Sequence, residues 1–403
     1  MIASNILSIE DLKLQRYPRD HDPSLKACNA ADEYLVSHLQ SLKLDPAAKM
    51  LILNDQFGAL GCAFANFKPD AWTDSFLSKQ AIIQNLKLNN LEQKLTSFNP
   101  TKSMLNPQQR YHYLVIRVPK HNSLLEYQLA IIRQHLDDNA IIIAAGMTKE
   151  IHNSQLKIFQ EIIGTTHTSL AKKKARLIFS KPDNAFQTLD HSTLEQQYLK
   201  SYTLKTPTLT AFGYPGVFSR GSLDQGAAVM LRHLPQLNAA QKIMDLGCGN
   251  GILGTCAAKL NPSIQVSFSD ESWLAIESAK MTFERNIQLG NSNAPQGNNS
   301  IRQENKHPAA KFYVTDVLDN VQQNDFDLIL CNPPFHQQNS QTLSIAKKMF
   351  LQSANKLAAE GELRVVANRH LHYAKLLKNY FNKVTIISKD PKFIVWQATS
   401  PKR

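Results

Sequence analysis

Short apolar runs alternate with amphipathic stretches along most of the chain, and this pattern predicts parallel β-strands connected by α-helices. In the second half, strands are expected at Ile264–Ser269, at Lys311–Thr315, at Phe326–Cys331 and at Glu362–Ala367. Another short strand begins at Ile243 and runs into a glycine-rich turn. Helices are expected over Ile252–Leu260 and Ser272–Asn286, so the second half has the layout of an α/β domain.

The first half repeats this layout in a weaker form. The strand and turn at Met50–Leu60 lack two of the three close glycines, and Tyr111–Lys120 ends in a single proline before a helix predicted over Ser123–Leu136. A strand follows at Ala140–Gly146. We therefore predict an α/β fold with two tandem Rossmann-like domains, residues 1–195 and 205–403, of which the first is a degenerate copy without cofactor. A coincidence of two unrelated α/β halves is the alternative.

The strand Phe326–Cys331 leads into the tetrapeptide Asn332-Pro333-Pro334-Phe335, which carries the most specific chemistry in the chain. The amide oxygen of Asn332 and the carbonyl of Pro333 are two acceptors for the N–H groups of a planar amine. The prolines fix the backbone, and Phe335 offers a face for stacking. These four residues predict a catalytic loop that turns the lone pair of an unreactive amine toward a methyl donor. An ordinary turn after a strand is the alternative.

The glycine turn has the sequence Asp245-Leu246-Gly247-Cys248-Gly249-Asn250-Gly251. Glycines let a backbone pass close to a ligand, and the following helix presents free N–H groups. The segment Gly249–Gly254 also fits GxGxxG, a weak signal for dinucleotides, but the carboxylate of Asp245 suits the cationic end of S-adenosylmethionine better than a pyrophosphate. NAD or a ligand-free turn are the alternatives. The predicted S-adenosylmethionine ligands here are Asp245, Gly247, Cys248, Gly249, Asn250 and Gly251, with Asn332 joining them from the catalytic loop.

Two further acidic residues follow predicted strands. Asp270 comes after Ile264–Ser269, where a carboxylate accepts hydrogen bonds from both ribose hydroxyls of a nucleotide-like cofactor. The alternative is that Asp270 caps the next helix. Asp316 comes after Lys311–Thr315 and is expected to accept from the adenine amino group, with a plain strand-end turn as the alternative.

Together these motifs resemble the class I, Rossmann-like methyltransferases that modify exocyclic amines. The segments Pro215–Ser219 and Leu223–Gly226 narrow the resemblance to the RsmC/RlmG group of ribosomal RNA guanine-N2 methyltransferases. The first half is most similar to the large-subunit branch, RlmG. That similarity is found at Leu14–Pro18, Ala30–Leu35 and Asn54–Leu60. The polar loop between Asn286 and Lys311 departs most from the family pattern.

The resemblance implies a first domain that binds RNA and a second domain that carries out catalysis. It also implies methyl transfer to the exocyclic N2 amine of one guanosine in ribosomal RNA, with 23S rRNA favoured. The segment Leu209–Ser219 is expected to cover the cofactor, and the cationic run Lys172–Arg176 suits phosphate contacts or a solvated helix end.

Composition agrees with a nucleic-acid partner. The 403 residues carry a formal net charge of +12, which favours a polyanion, although a solvated basic face gives the same total. The five cysteines form no CxxC pair, which predicts free thiols in a reducing cytoplasm. We expect a monomeric cytoplasmic protein without a metal site or a membrane segment.

Three other functions use some of the same features. A 16S rRNA guanine-N2 methyltransferase requires the same catalytic residues. A protein-glutamine N5 methyltransferase uses the same loop geometry on a side-chain amide, usually with tyrosine in place of Phe335. An RNA-binding or assembly factor with a vestigial pocket requires no turnover at all.

Overall fold

A computed structural model describes residues 5–19, 25–92, 96–98, 108–183, 191–239, 241–288, 310–334 and 340–402. The chain divides into two compact units, which we call unit 1 (Met1–Tyr198) and unit 2 (Leu199–Arg403). Within the described ranges, every helix is too short or too polar to cross a membrane.

Unit 1 is built on a seven-stranded sheet. Its strands are β1 (Met50–Leu53), β2 (Asp70–Trp72), β3 (Thr96–Phe98), β4 (Tyr111–Arg117), β5 (Leu136–Met147), β6 (Thr166–Thr168) and β7 (Ala175–Ser180). Its helices are α1 (Ala30–Gln40), α2 (Ala59–Ala63), α3 (Phe76–Leu88), α4 (Asn122–Arg133), α5 (Asn153–Ile162) and α6 (His191–Tyr198). The strand order is β3-β2-β1-β4-β5-β7-β6, and only β7 runs antiparallel to its neighbours. Buried Leu35 and Leu39 of α1 pack in one cluster with Met50 and Ile52 of β1.

Unit 2 begins with a two-stranded hairpin and continues into a second seven-stranded sheet. Its strands are β8 (Lys200–Lys205), β9 (Thr208–Gly213), β10 (Lys242–Leu246), β11 (Gln265–Asp270), β12 (Lys311–Val314), β13 (Phe326–Cys331), β14 (Leu357–Asn368), β15 (Phe381–Lys389) and β16 (Phe393–Pro401). Its helices are α7 (Gln225–Arg232), α8 (Ile252–Leu260), α9 (Trp273–Phe283), α10 (Ser340–Lys356) and α11 (Tyr373–Leu377).

The sheet of unit 2 has the order β12-β11-β10-β13-β14-β16-β15, which is the order of unit 1 strand for strand. Like β7 in unit 1, the last strand of unit 2, β16, is antiparallel to both of its neighbours. Helices cover both faces: Ile252 of α8 packs with Ile243 on one face, and Met349 of α10 packs with Met244 on the other. The predicted α/β class with two Rossmann-like units is confirmed, and the descent of unit 1 from a catalytic copy stays a prediction.

The two units also share the turn that follows the first strand. Gly58 and Gly251 both cap the next helix in the left-handed region, with φ of 85° and 72°. Three residues later, the N–H of Gly61 donates to Asp55 at 2.7 Å and the N–H of Gly254 donates to Asp245 at 2.8 Å. A buried carboxylate beneath a glycine-capped helix is thus common to both units.

Three local predictions were wrong. The helix predicted over Ser123–Leu136 ends at Arg133, because Leu136 already pairs with Tyr111 as the first residue of β5. The helix predicted to reach Asn286 ends at Phe283 and continues as a π-helical turn, Glu284–Gln288.

The third wrong prediction concerns the cationic run Lys172–Arg176, which is not a helix end. Lys172 and Ala175 exchange backbone hydrogen bonds at 2.8 Å, and the two lysines between them have φ of 49° and 63°. Lys173 and Lys174 therefore form a two-residue hairpin turn between β6 and β7. Most of the polar loop between Asn286 and Lys311, residues 291–303 included, lies outside the described residues.

Candidate active site

The predicted site residues of unit 2 lie at one edge of its sheet. Parallel strands β10, β11, β12 and β13 all end there, and the chain leaves β10 and β13 toward opposite sides of the sheet. Such a switch point opens a crevice at the carboxyl ends of the strands. The glycine turn follows β10, Asp270 ends β11, Asp316 follows β12 and Asn332 follows β13.

The glycine turn folds over the end of the neighbouring strand and has a positive φ at Gly249. Gly247 and Cys248 donate their N–H groups to the Ser269 carbonyl at 2.8 and 3.0 Å, which folds the turn over the end of β11. At Gly249, φ is 53°, and an added Cβ would have the Phe218 carbonyl oxygen, 3.7 Å away, as its nearest neighbour. A ligand can therefore approach the backbone closely at Gly249, as the adenosine and methionine parts of S-adenosylmethionine require.

The side chains of the turn point into the protein. Asn250 is buried, and its amide donates to the Tyr202 hydroxyl at 3.1 Å and to the Ser219 carbonyl at 3.3 Å. Cys248 is buried as well, and this burial raises the pKa of its thiol, so it stays neutral. The backbone of these two residues, rather than their side chains, is thus available to a cofactor.

The segment Leu209–Ser219, which is predicted to cover the cofactor, has its backbone hydrogen-bonded to α9. The N–H groups of Phe212 and Tyr214 donate to Thr282 Oγ1 at 2.9 Å and to Ser278 Oγ at 3.0 Å. The Asn250 contact to Ser219 brings the end of this segment to the glycine turn. Its role in covering the cofactor stays a prediction.

Asp245 lies beneath the glycine turn and is 1% exposed. Burial raises the pKa of its carboxyl to about 7, an effect that the hydrogen bond from Gly254 partly offsets. The side chain therefore supports the start of α8 from below. Its predicted contact with the cofactor stays a prediction.

This raised pKa gives a test of stability against pH. The unfolded Asp245 ionises near pH 4, so between about pH 4 and 7 the folded state retains a proton that the unfolded state has lost. Stability should fall as pH rises through that window, by up to about 4 kcal/mol from this group. Urea unfolding between pH 5 and 7.5 measures how steeply the free energy of unfolding falls with pH. This fall should be much shallower in Asp245→Asn than in the wild type. The exposed-site control Asp138→Asn should keep it, and equal slopes in all three proteins would contradict the assignment.

Asp270 is held by backbone donors of the glycine turn and of the residues that follow it, Glu271 among them. Its Oδ2 accepts from Gly249 N at 2.9 Å and its Oδ1 accepts from Ser272 N at 3.0 Å. Burial raises the pKa of the carboxyl, and these bonds oppose that rise. The N-cap of α9 is Ser272, so the alternative of Asp270 as the cap is wrong. Its predicted contact with the ribose hydroxyls stays a prediction.

Asp316 has a partner that the sequence did not indicate. Lys348 of α10 lies 2.6 Å from Asp316 Oδ2 and 2.7 Å from Asp319 Oδ2. Burial raises the pKa of Asp316, which the lysine counteracts. The lysine contacts one carboxylate oxygen, and the contact of Asp316 with the adenine amino group stays a prediction. No local pattern could have revealed Lys348, because it lies a whole strand and loop further along the chain.

Asn332 is the predicted catalytic residue with the most informative surroundings. Its Nδ2 donates to Asp224 Oδ2 at 3.2 Å. Its Oδ1 is buried and has no hydrogen-bond partner among the described residues. An unpaired buried acceptor costs about 1–3 kcal/mol, which a bound N–H donor would recover. Pro333 is buried and Pro334 exposed, whereas Phe335 and His336 lie outside the described residues.

Unit 1 places a different group at the corresponding point. Strand pairing ends at Leu53 with Ile116 in unit 1 and at Leu246 with Cys331 in unit 2, so Arg117 corresponds to Asn332. Arg117 is buried and lies 3.2 Å from the carboxylate of Asp32. This position in unit 1 thus holds an ion pair, whereas unit 2 has an uncharged amide there.

Comparison with known proteins places the chain in a family. The RLMG N-terminal domain family matches residues 3–184, and the Methyltransferase small domain family matches residues 208–297 and 290–397. A protein of Photobacterium profundum, named ribosomal RNA large subunit methyltransferase G, is 38% identical over 388 residues, which cover 96% of each chain. The chain belongs to the ribosomal RNA large subunit methyltransferase G family. The predicted family is therefore confirmed.

Other members and a solved structure agree with this family. The protein of the same name from Vibrio vulnificus (strain YJ016) is 38% identical over 395 residues, covering 96% of this chain and 97% of the relative. A T. thermophilus 16S rRNA N2 methyltransferase (RsmC), solved with AdoMet and guanosine, matches with a TM-score of 0.70. The match covers 98% of this chain and 99% of that one, at 17% identity, and so supports the two-unit fold.

Proposed function

We propose that this protein transfers a methyl group from S-adenosylmethionine to the exocyclic N2 amine of one guanosine in ribosomal RNA. The names of its relatives favour 23S rRNA over 16S rRNA. The observation that carries the proposal is Asn332 Oδ1 at the switch point, which has no hydrogen-bond partner within the part of the chain that the structure describes and can accept from an amine N–H. The neighbouring glycine turn, in which Gly249 has a positive φ and no side chain between its backbone and a ligand, supports the choice of cofactor.

Each group at the crevice has a role in holding the cofactor. The Gly247–Gly251 backbone would lie against it, Asp270 would accept from the ribose hydroxyls, and Asp316 would accept from the adenine amino group. Bound S-adenosylmethionine supplies an electrophilic methyl group on a sulfonium. The Asp270 carboxyl, which accepts from Gly249 N beside the turn, suits a cationic ligand better than a pyrophosphate.

The chain's own residues prepare the amine. The lone pair of guanine N2 is delocalised into the ring, so the base must be held with that lone pair aimed along the line of attack. Asn332 Oδ1 and the Pro333 carbonyl would accept the two N–H groups, and Phe335 would stack on the ring. As the N–C bond forms and the sulfur–methyl bond breaks, the amine becomes cationic and acidic, so its proton can leave to water. The reaction needs no strong base and no covalent enzyme intermediate.

RNA binding is assigned to unit 1 together with the basic surface of the chain. A base that reacts at an exocyclic amine must leave its stack, so the target guanine is unpaired or flipped. The formal net charge of +12 favours phosphate contacts. We further propose that the protein acts as a cytoplasmic monomer without a metal ion.

Labelled methyl transfer tests this function. Ribosomal RNA from cells that lack the gene is incubated with the pure protein and tritiated S-adenosylmethionine, and 23S and 16S rRNA are then separated. A parallel reaction contains a release factor in place of the RNA. Label in 23S rRNA, recovered as N2-methylguanosine after digestion, is expected. Label only in 16S rRNA would move the substrate to the small subunit, and label only in a release factor would assign glutamine methylation. No label in any of them, despite bound cofactor, would contradict the proposal.

A further inference from the structure

We propose that Asp224 is a positioning residue that fixes the orientation of the Asn332 amide, a step that rests on the function proposed above. The oxygen and nitrogen of an amide have nearly the same shape, so packing alone distinguishes the two flips poorly. A carboxylate accepts hydrogen bonds and cannot donate one. Because Asp224 Oδ2 faces Nδ2 at 3.2 Å, it selects the flip in which Oδ1 is turned away from it.

The orientation decides whether the site can accept an amine. With Oδ1 toward the substrate, Asn332 accepts one of its N–H groups. The opposite flip would set the Nδ2 hydrogens against the N–H groups of the substrate, and the nucleophile would be repelled. The carboxylate also polarises the amide toward its oxygen, which strengthens the acceptor as positive charge develops on the attacking nitrogen.

Asp224 is itself held in place by the fold. It is the N-cap of α7, and the same Oδ2 accepts from Ala227 N at 2.9 Å. The capping bond fixes the carboxylate before any ligand arrives. The start of α7 is thereby tied to the end of β13 across 108 residues of sequence.

Gly226 lies next to both Asp224 and Asn332. A Cβ at this position would lie 2.9 Å from Asp224 Oδ2 and 3.2 Å from Asn332 Oδ1. Both oxygens would have to move to make room for it. Glycine is thus required here by the closeness of the pair and not by its backbone angles.

Unit 1 uses the same two positions differently. Asn29, the N-cap of α1, accepts from Arg117 Nη2 at 3.4 Å, so a cap and the residue after the fourth strand are again in contact. Unit 1 has Asn29 and Arg117 where unit 2 has Asp224 and Asn332. Arginine cannot accept a hydrogen bond, so unit 1 lacks the oriented acceptor. The contact in unit 2 is therefore specific to the unit that carries the catalytic loop.

Two substitutions separate positioning from capping. Serine and asparagine cap helices about as well as aspartate, so Asp224→Ser and Asp224→Asn should melt within about 2 °C of the wild type. Serine is too short to reach Asn332, and asparagine reaches it without charge. We expect kcat to fall about 30-fold in Asp224→Ser and less in Asp224→Asn, with cofactor affinity within about twofold of the wild type by calorimetry. Gly226→Ala should also lose kcat.

The variants are assayed on whichever macromolecule the wild-type protein methylates, so a wrong substrate class is detected separately in the wild type. Wild-type kcat in Asp224→Ser would overturn the proposal. A fall in kcat that parallels a fall in melting temperature or in cofactor affinity would also overturn it, because Asp224 would then act on the fold or on the cofactor. Loss of kcat with both other quantities preserved is the supporting result.

Discussion

Replacing Asn332 with alanine should lower methyl transfer by at least about 10³-fold while leaving the fold and cofactor binding largely intact. The substitution removes the buried Oδ1 acceptor and the bond to Asp224, but the Asp224 carboxylate keeps its capping bond to Ala227 N. The cofactor contacts assigned to the glycine turn and to Asp270 also remain. Single-turnover transfer measures the loss, and calorimetry with S-adenosylmethionine measures binding.

The matched control is Asn379→Ala, which removes an exposed asparagine of the same unit. This variant should transfer methyl groups at the wild-type rate. Wild-type turnover in Asn332→Ala would refute the role assigned to the amide. A loss of cofactor affinity equal to the loss of turnover would place Asn332 in cofactor binding alone.

Gly251→Ala should destabilise unit 2 by about 3 kcal/mol or more. The residue has φ of 72°, where a side chain is strained, and an added Cβ would lie 2.8 Å from the Ala279 Cα in α9. Because this neighbour is backbone of a packed helix, it cannot rotate away. Urea unfolding followed by circular dichroism measures the loss.

Gly249→Ala provides the contrast within the same turn. Its φ of 53° carries a similar backbone strain, but its Cβ would meet the Phe218 carbonyl oxygen at 3.7 Å, an ordinary contact distance, so the destabilisation should be only about 1–2 kcal/mol. The added methyl would project toward the space assigned to the cofactor, and calorimetric affinity should therefore fall. Equal destabilisation by the two substitutions would contradict this description of the turn.

Elements marked by strong local signals could be predicted from the sequence. The helix Ile252–Leu260 and the strand Phe326–Cys331 were predicted with their observed ends, because a glycine turn precedes the helix and Asn-Pro-Pro follows the strand. The four candidate positions of the crevice also followed from sequence, since the carboxyl ends of neighbouring parallel strands meet at one edge. Their individual roles stay predictions.

Features that depend on distant parts of the chain could not be predicted. Lys348 reaches Asp316 from a later helix, and Asp224 reaches Asn332 from an earlier one. The turn at Lys173 and Lys174 escaped prediction for another reason: both residues adopt positive φ, a conformation that normally belongs to glycine or asparagine. Asp245 was expected to face a ligand, but its burial depends on the packing of α8 above it.

The most direct test of the account is a crystal structure of the protein with S-adenosylhomocysteine and an RNA fragment that contains the methylated guanosine. The account predicts that guanine N2 lies about 3 Å from Asn332 Oδ1, with Nδ2 still donating to Asp224. A guanine bound away from the glycine turn, or an amide with its nitrogen toward the base, would contradict it.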